Sequence, residues 1–441
     1  MSRRWNPSEH LYMAKYAGAW LVLGSSVAMV IGVAVSLFVK SLDLATQYRW
    51  DHERIFYLLP VGGLLVVAMY HYLGKKGSES GNNLILDEIH EPGGGVPLRM
   101  APLVWVGTVL SHLFGASVGR EGTAVQMGGS IAGAISRIAQ RHPRWNQRHT
   151  RTLLMVGIAA GFGAVFGTPL SATIFALEVL AIGQMSYQAL FPCLIAGVVG
   201  DQTCRFALHH LHYTHANYNL SLYRDLNLSQ WNPLNAMNVI KVFFAGICFG
   251  IAGVIFSELA HLFSDGFKRL IGNPFVRVVV GALIFMALTY WIGFDFLGLG
   301  TSAPPSHPGL VNIKSCFLVG GAQPLSWFWK LLFTTIALGC GFKGGEVTPL
   351  FFIGAALGNV LGQWLGFPVE LLAALGFVSV FAAGTNTPLA GIIMGIEIFA
   401  SATPDLLSSP FVVYLAISCF VAYLFSGTAG IYRSQKSGRK Y

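Results

Sequence analysis

Six stretches of the chain, Ala17–Val39, Ile55–Tyr72, Val239–Phe263, Val276–Ile292, Trp327–Gly341 and Phe411–Phe425, are nearly unbroken apolar runs. A helix needs about 20 residues to cross a bilayer, and these six are expected to qualify as spanning helices. Lipid offers no hydrogen bonds, so a spanning backbone must satisfy its own N–H and C=O groups, and a helix is the local way to do so. Six further runs, Leu103–Val118, Leu153–Val165, Thr168–Ile182, Pro349–Leu361, Val369–Ala383 and Pro388–Ala400, are shorter, roughly 12 to 17 residues each, with Gly, Pro, Thr or Asn between them. Only 11% of the 441 residues are charged, against about 25% in an ordinary soluble domain. The 28 basic and 19 acidic residues give a net charge of +9 without a basic tract. Together these features exclude a soluble enzyme, a nucleic-acid binder and a disordered chain, and they specify an integral membrane protein. The first run follows a basic start (Arg3, Arg4, Lys15), yet it is too long for a signal sequence and no small-x-small cleavage site ends it. It reads as the first membrane helix.

Short, interrupted apolar segments at matching places in two halves point to a transporter binding site, and here the halves match. Gly119-Arg-Glu-Gly-Thr-Ala-Val-Gln-Met-Gly-Gly-Ser-Ile-Ala-Gly133 aligns with Gly344-Gly-Glu-Val-Thr-Pro-Leu-Phe-Phe-Ile-Gly-Ala-Ala-Leu-Gly358 at an offset of 225, setting Glu121 against Glu346 and Thr123 against Thr348. Thr168–Glu178 aligns with Thr387–Glu397 at an offset of 219. Two ordered matches at nearly one offset indicate an internal duplication. The expected organisation is a first repeat over residues 1–215, a polar connection over 216–235, a second repeat over 236–432 and a basic tail over 433–441.

Thr-Pro-Leu occurs three times, at Thr168, Thr348 and Thr387, each time opening an apolar run. Thr is a good N-cap and Pro is favoured at the first helical position, so each copy predicts a helix start. Gly81-Asn82-Asn83 and Gly122-Thr123 read the same way. A helix that begins inside the membrane leaves free N–H groups and a partial positive charge at depth, and several such ends together would hold an anion. Glu121 and Glu346 sit within these breaks, where a carboxylate is a functional expectation by default. Ionised, it can fill the anion's place; neutral, it can withdraw carrying a proton. Glu178 and Glu397 close their short helices and are expected to mark a water interface.

The remaining polar features have plainer readings. Arg141–Arg151, the basic N-terminus and the tail Arg433–Lys440 fit loops on the cytoplasmic face under the positive-inside rule. His209-His-Leu-His-Tyr-Thr-His215 lacks a framing carboxylate or cysteine and reads as a solvated loop. The six cysteines stand singly with no CxxC spacing, as packing thiols do. No metal or cofactor is expected.

Gly119-Arg-Glu-Gly-Thr-Ala-Val-Gln resembles the gating-glutamate motif, usually G-[KR]-E-G-P, of the chloride-channel (CLC) family, and the resemblance extends over nearly the whole chain. It implies an all-α integral membrane protein with two inverted-topology repeats of tilted and broken helices, assembled as a homodimer. Gly81-Asn82-Asn83 stands where the family usually has Gly-Ser-Gly-Ile-Pro, Gly345-Glu-Val-Thr-Pro349 where it has Gly-x-Phe-x-Pro, and Thr123 where it has Pro. These departures are similar to the fluoride/proton antiporter branch. The resemblance implies Glu121 as gate and proton carrier, Asn82 with neighbouring Asn83, Gly122 and Thr123 at the anion site, Glu346 and Thr348 as a branch-specific pair, and Tyr432 as the central tyrosine. The paired Glu-Glu of chloride/proton exchangers reads Glu178-Val179 here, which shifts the expected proton route towards Glu346.

Fluoride is small and tightly hydrated, so a site that strips its water needs strong donors; an Asn side chain brings two N–H donors where Ser brings one O–H, and Thr348 adds another. The expectation is a multi-pass inner (plasma) membrane antiporter, not an enzyme, that exports fluoride against protons among membrane lipids. The alternatives are a chloride/proton antiporter or passive anion channel of the same fold, and, from another class, an intramembrane enzyme using Glu121 and Glu346 as acid and base, for which neither HExxH nor GxSxG is present.

Overall fold

The computed structural model describes residues 7–74, 78–143, 145–213, 234–399 and 410–437. It is built of helices: α1 (Pro7–Asp51), α2 (Leu59–Leu73), α3 (Asn82–His90), α4 (Met100–Leu113), α5 (Glu121–Ala139), α6 (Gln147–Phe166), α7 (Pro169–Glu178), α8 (Leu190–His210), α9 (Ala236–Leu270), α10 (Pro274–Ile292), α11 (Ser326–Cys340), α12 (Val347–Leu365), α13 (Val369–Thr385), α14 (Pro388–Phe399) and α15 (Phe411–Ser426). A short parallel pair, β1 (Ala181–Ile182) with β2 (Lys436–Ser437), ties the C-terminal segment to the end of α7. Most of the connection over 216–235, the arginines Arg3, Arg4 and Arg144, His215 and the end of the basic tail lie outside the described residues.

The first apolar run is part of a membrane helix, as its length demanded, and α1 continues well past it to 45 residues. The sorting of long from short runs needs correction. α6 and α12, of 20 and 19 residues, are long and apolar enough to cross, whereas α11 and α15 have 15 and 16 residues. The amides of α6 and α12 continue helically through Gly, Thr and Asn positions that look like breaks in a hydropathy profile. α8, of 21 residues, went unrecognised because Asp201, Gln202 and Arg205 interrupt its apolar pattern. In the fold these charges neutralise each other: Arg205 Nε donates to Asp201 Oδ1 at 2.7 Å and Nη2 donates to the Gly167 carbonyl at 3.2 Å.

The duplication appears directly in the packing. α5 lies against α6 and α12 against α13, and each pair is pulled together at facing glycines. A Cβ on Gly128 would stand 2.1 Å from the Gly157 carbonyl oxygen, and one on Gly354 would stand 2.0 Å from that of Gly376. Membrane helices pack through such small residues, since lipid removes the hydrophobic drive between helices. Large apolar side chains, among them Val22, Leu65, Phe243, Leu283, Trp291 and Leu424, remain exposed on the outside. A water-soluble surface would not tolerate so many; hydrocarbon is their natural solvent. The six cysteines are free thiols, five of them buried. Among the described residues no group of metal ligands forms; His210 Nδ1 bonds the Phe206 carbonyl of its own helix.

A candidate anion and proton site between the repeats

Gly119 and Gly345 meet edge to edge. Gly119 donates to the Gly345 carbonyl at 2.6 Å and Gly345 donates to that of Gly119 at 2.8 Å, an antiparallel bridge. Glycine is required for this approach: a Cβ on Gly119 would stand 2.8 Å from the Gly345 oxygen. α5 and α12, 19 residues each, begin just beyond the bridge. The two sequence motifs thus join into one structure whose halves run in opposite directions.

Glu121 is the first residue of α5 and fully buried. Its carboxylate reaches across the bridge to α12, where Oε2 accepts the Thr348 amide at 3.1 Å and the Thr348 hydroxyl. The Arg120 amide donates to the same oxygen at 3.2 Å, and Arg120 Nε lies 3.4 Å from Oε1. A negative group therefore sits on the positive end of α12, where an anion would be favoured.

The other two Thr-Pro-Leu starts are occupied in the same manner. Glu397 of α14 accepts the Leu170 and Ser171 amides of α7 at 2.9 and 2.7 Å. Glu178 of α7 accepts the Leu389 and Ala390 amides of α14 at 3.2 and 2.9 Å. Glu178 is buried and does not mark a water interface, Glu397 is half-buried, and each caps the matching helix of the other repeat. Nor do the threonines cap. Thr168 makes no side-chain cap, the Thr387 hydroxyl bonds Thr385, and Thr348 lies one residue inside α12, whose N-cap is Glu346. All three ends expected to line an anion path are therefore taken by protein carboxylates, the α12 end by Glu121.

Asn82 opens α3 after Gly81, which holds φ +57, a conformation glycine adopts without strain. Its side chain does not cap the helix. Nδ2 lies 3.2 Å from where a Gly122 Cβ would stand, Glu346 Oε2 lies 3.6 Å from the same point, and the Gly345 Cα 3.0 Å. Gly122 thus marks the point where Asn82, Glu346 and the second-repeat motif converge, too closely for a Cβ to fit without displacing them. Asn82 is 8% exposed. Tyr432, also buried, lies within electrostatic range of both Glu346 and Glu121; its segment is fixed by the Ile431 amide on the Gly384 carbonyl at 2.8 Å.

Two expected site residues, Asn83 and Thr123, are placed differently. Asn83 Oδ1 accepts the Ser434 amide at 3.1 Å, so this side chain anchors the C-terminal segment. Thr123 is inside α5 and its hydroxyl pairs with Thr108 of α4 at 2.7 Å, away from the bridge; Thr108 carries no motif that sequence reasoning could have used. Glu346 is an N-cap in position only, for its side chain makes no cap bond. Nor does Lys343 hold it: the Lys343 ammonium packs over the Tyr70 ring, 4.5 Å from its centroid.

Residues 62–427 match the model of the voltage gated chloride channel family. The chain is 43% identical over 438 residues, 98% of its length and 89% of the relative's, to a chloride/fluoride channel protein of Pseudomonas syringae pv. tomato. It is 26% identical to an H(+)/Cl(−) exchange transporter, ClcA, of Yersinia pestis, over 86% of this chain and 79% of that one. Among solved structures it resembles a CLC-type fluoride/proton antiporter with a TM-score of 0.84 and 33% identity, covering 96% of this chain and 98% of the other. An inverted pair of broken-helix repeats, joined at a buried glutamate and matched along nearly the full length by these proteins, makes this chain a member of the voltage-gated chloride channel (CLC) family.

Proposed function

We propose that the protein is a fluoride/proton antiporter of the cell's inner (plasma) membrane, carrying fluoride out of the cytoplasm as protons move in. One observation carries the mechanism: the Glu121 carboxylate crosses between the repeats onto the Thr348 amide and hydroxyl. Ionised, it holds the place an anion would take. Protonation removes the charge that these donors favour, so the side chain leaves with its proton and a fluoride takes its place. Anion and proton then alternate at one position, which is what coupled exchange requires.

Fluoride reaches that position past Gly122, where the Asn82 amide donors, the Thr348 hydroxyl and, when neutral, the Glu346 carboxyl replace its water. Glu346 and Tyr432 bound the inner side of the site, and Glu346 passes protons to it in the place left by Val179. Asn83 and Thr123 hold the walls in position. The basic loop Arg141–Arg151 and Lys15 place the N-terminus of α1 in the cytoplasm and its end at Asp51 outside. The repeats run over residues 1–215 and 236–432, and two copies associate as a homodimer, each with its own path.

The relatives support fluoride through the 43% identical chloride/fluoride channel protein and the fluoride/proton antiporter structure, and proton coupling through the latter and ClcA. The test is proton uptake driven by an outward fluoride gradient in proteoliposomes, with chloride as control. Fluoride-dependent uptake is expected, with chloride far less effective. Chloride-driven uptake of equal size would make the protein a chloride exchanger, and fluoride flux without proton movement would make it a channel.

A further inference from the structure

A cavity of about 700 Å³ opens beside Arg120, away from Asn82 and Glu346, and is lined by the end of α1 and by the segment from Gly293 to Lys314. Its wall holds three acids, each already engaged. Asp43 accepts the Tyr213 hydroxyl, Asp295 Oδ1 accepts the Val311 amide at 2.7 Å, and Glu53 Oε1 faces His307 Nε2 at 3.0 Å and accepts the Ser306 hydroxyl at 3.2 Å. One of its two buried arginines is different. Arg49 is 8% exposed and lines the cavity, and its Nη1 finds no hydrogen-bond partner among the described residues.

Burying a guanidinium with an unmatched donor costs free energy, and the fold goes out of its way to hold this one there. A Cβ on Gly298 would stand 2.8 Å from Nη1, and one on Gly115 would stand 3.5 Å from it; both residues adopt positive φ. A second cation supports the neighbourhood. Lys330, wholly buried, donates to the Phe296 and Gly298 carbonyls at 3.2 and 2.8 Å, which fixes the Gly298 backbone against Arg49. Arg49, Lys330 and Arg120 all lie within electrostatic range of the buried His112. An unmatched guanidinium donor on the wall of a cavity that a second buried arginine, Arg120, also lines is complementary to a small anion.

We propose that Arg49 and Arg120 form an outer binding site for a small inorganic anion in this cavity, which receives the transported ion after it has passed Glu121. Arg120 serves both positions, since it lines the cavity and pairs with the Glu121 carboxylate. The site's place on the exit side rests on the antiporter reading given above; its capacity to bind an anion does not.

Equilibrium dialysis of the purified full chain against fluoride tests it, comparing wild type, Arg49→Gln and Arg49→Lys. Wild type is expected to hold one more fluoride per chain than Arg49→Gln. Arg49→Lys keeps the charge but not the guanidinium's donors, and is expected to hold that ion about tenfold more weakly. Equal occupancy in wild type and a well-folded Arg49→Gln overturns the proposal. Should Arg49→Gln fail to fold, Arg49→Lys decides, because an unchanged dissociation constant would exclude Arg49 as a ligand. Loss of fluoride/proton exchange in wild-type vesicles would sink the antiporter reading while leaving this binding comparison intact.

Discussion

The starts of α5 and α12 descend from one sequence, yet their acids are used in opposite ways. Glu121 leaves its own helix, crosses the Gly119–Gly345 bridge and spends its carboxylate on Thr348. Glu346 makes no cap bond to its helix and stands beside Gly122. The threonines two residues on diverge in the same sense: the Thr348 hydroxyl faces the bridge, whereas the Thr123 hydroxyl turns to Thr108. Duplication supplied two equivalent frames, and the neighbouring helices decided which side chain each frame would turn inward.

The sharpest way to break this comparison is Glu121→Gln. Gln keeps the shape and loses the titration, so proton coupling is expected to vanish while anion flux persists. Fluoride and proton fluxes recorded together from the same vesicles check this, and intact coupling would remove Glu121 from the mechanism. Glu346→Ala is expected to lower exchange by more than about tenfold, with Glu346→Gln less affected because an amide can still donate to fluoride. Wild-type rate and coupling in a well-folded Glu346→Ala would mean that the second frame is only structural.

A smaller effect is expected at Asn82, where Ser offers one donor in place of two. Asn82→Ser should move preference towards chloride by a few fold, measured as the ratio of fluoride to chloride transport; an unmoved ratio puts selectivity elsewhere, foremost at Thr348. The smallest effects come from a matched pair. Thr348→Val removes a hydroxyl that holds Glu121 and should slow exchange, whereas Thr123→Val should leave transport alone and cost about 1 kcal/mol of stability, one buried hydrogen bond. Thermal unfolding and exchange rates read both, and equal transport defects in the two variants would erase the distinction between the frames.

Much of this was legible in the chain. The twin offsets of 225 and 219 predicted a duplication, and the α5–α6 and α12–α13 pairs realise it, each closed at facing glycines. The position of Glu121 could be read because a charge in an apolar break must have a reason to be there. What escaped was the partner of each group. Offsets say which residues are equivalent, not which face each other across an inverted axis, so the crossing of Glu178 and Glu397 onto each other's helices had no linear signal. The same holds for Thr108 and Thr123, which meet through helix packing alone. Arg49 and Lys330 were visible as cations beside or within apolar runs, but only the fold shows that both are buried.

The reciprocal caps at α7 and α14 impose an order on manufacture. A ribosome delivers Leu170 and Ser171 long before it has made Glu397, so the growing chain carries two bare amides that no group in its own half satisfies, and Glu178 likewise waits for Leu389 and Ala390. Bare amides in a low-dielectric setting are costly, so both helix ends gain their partners only when the second half is in place.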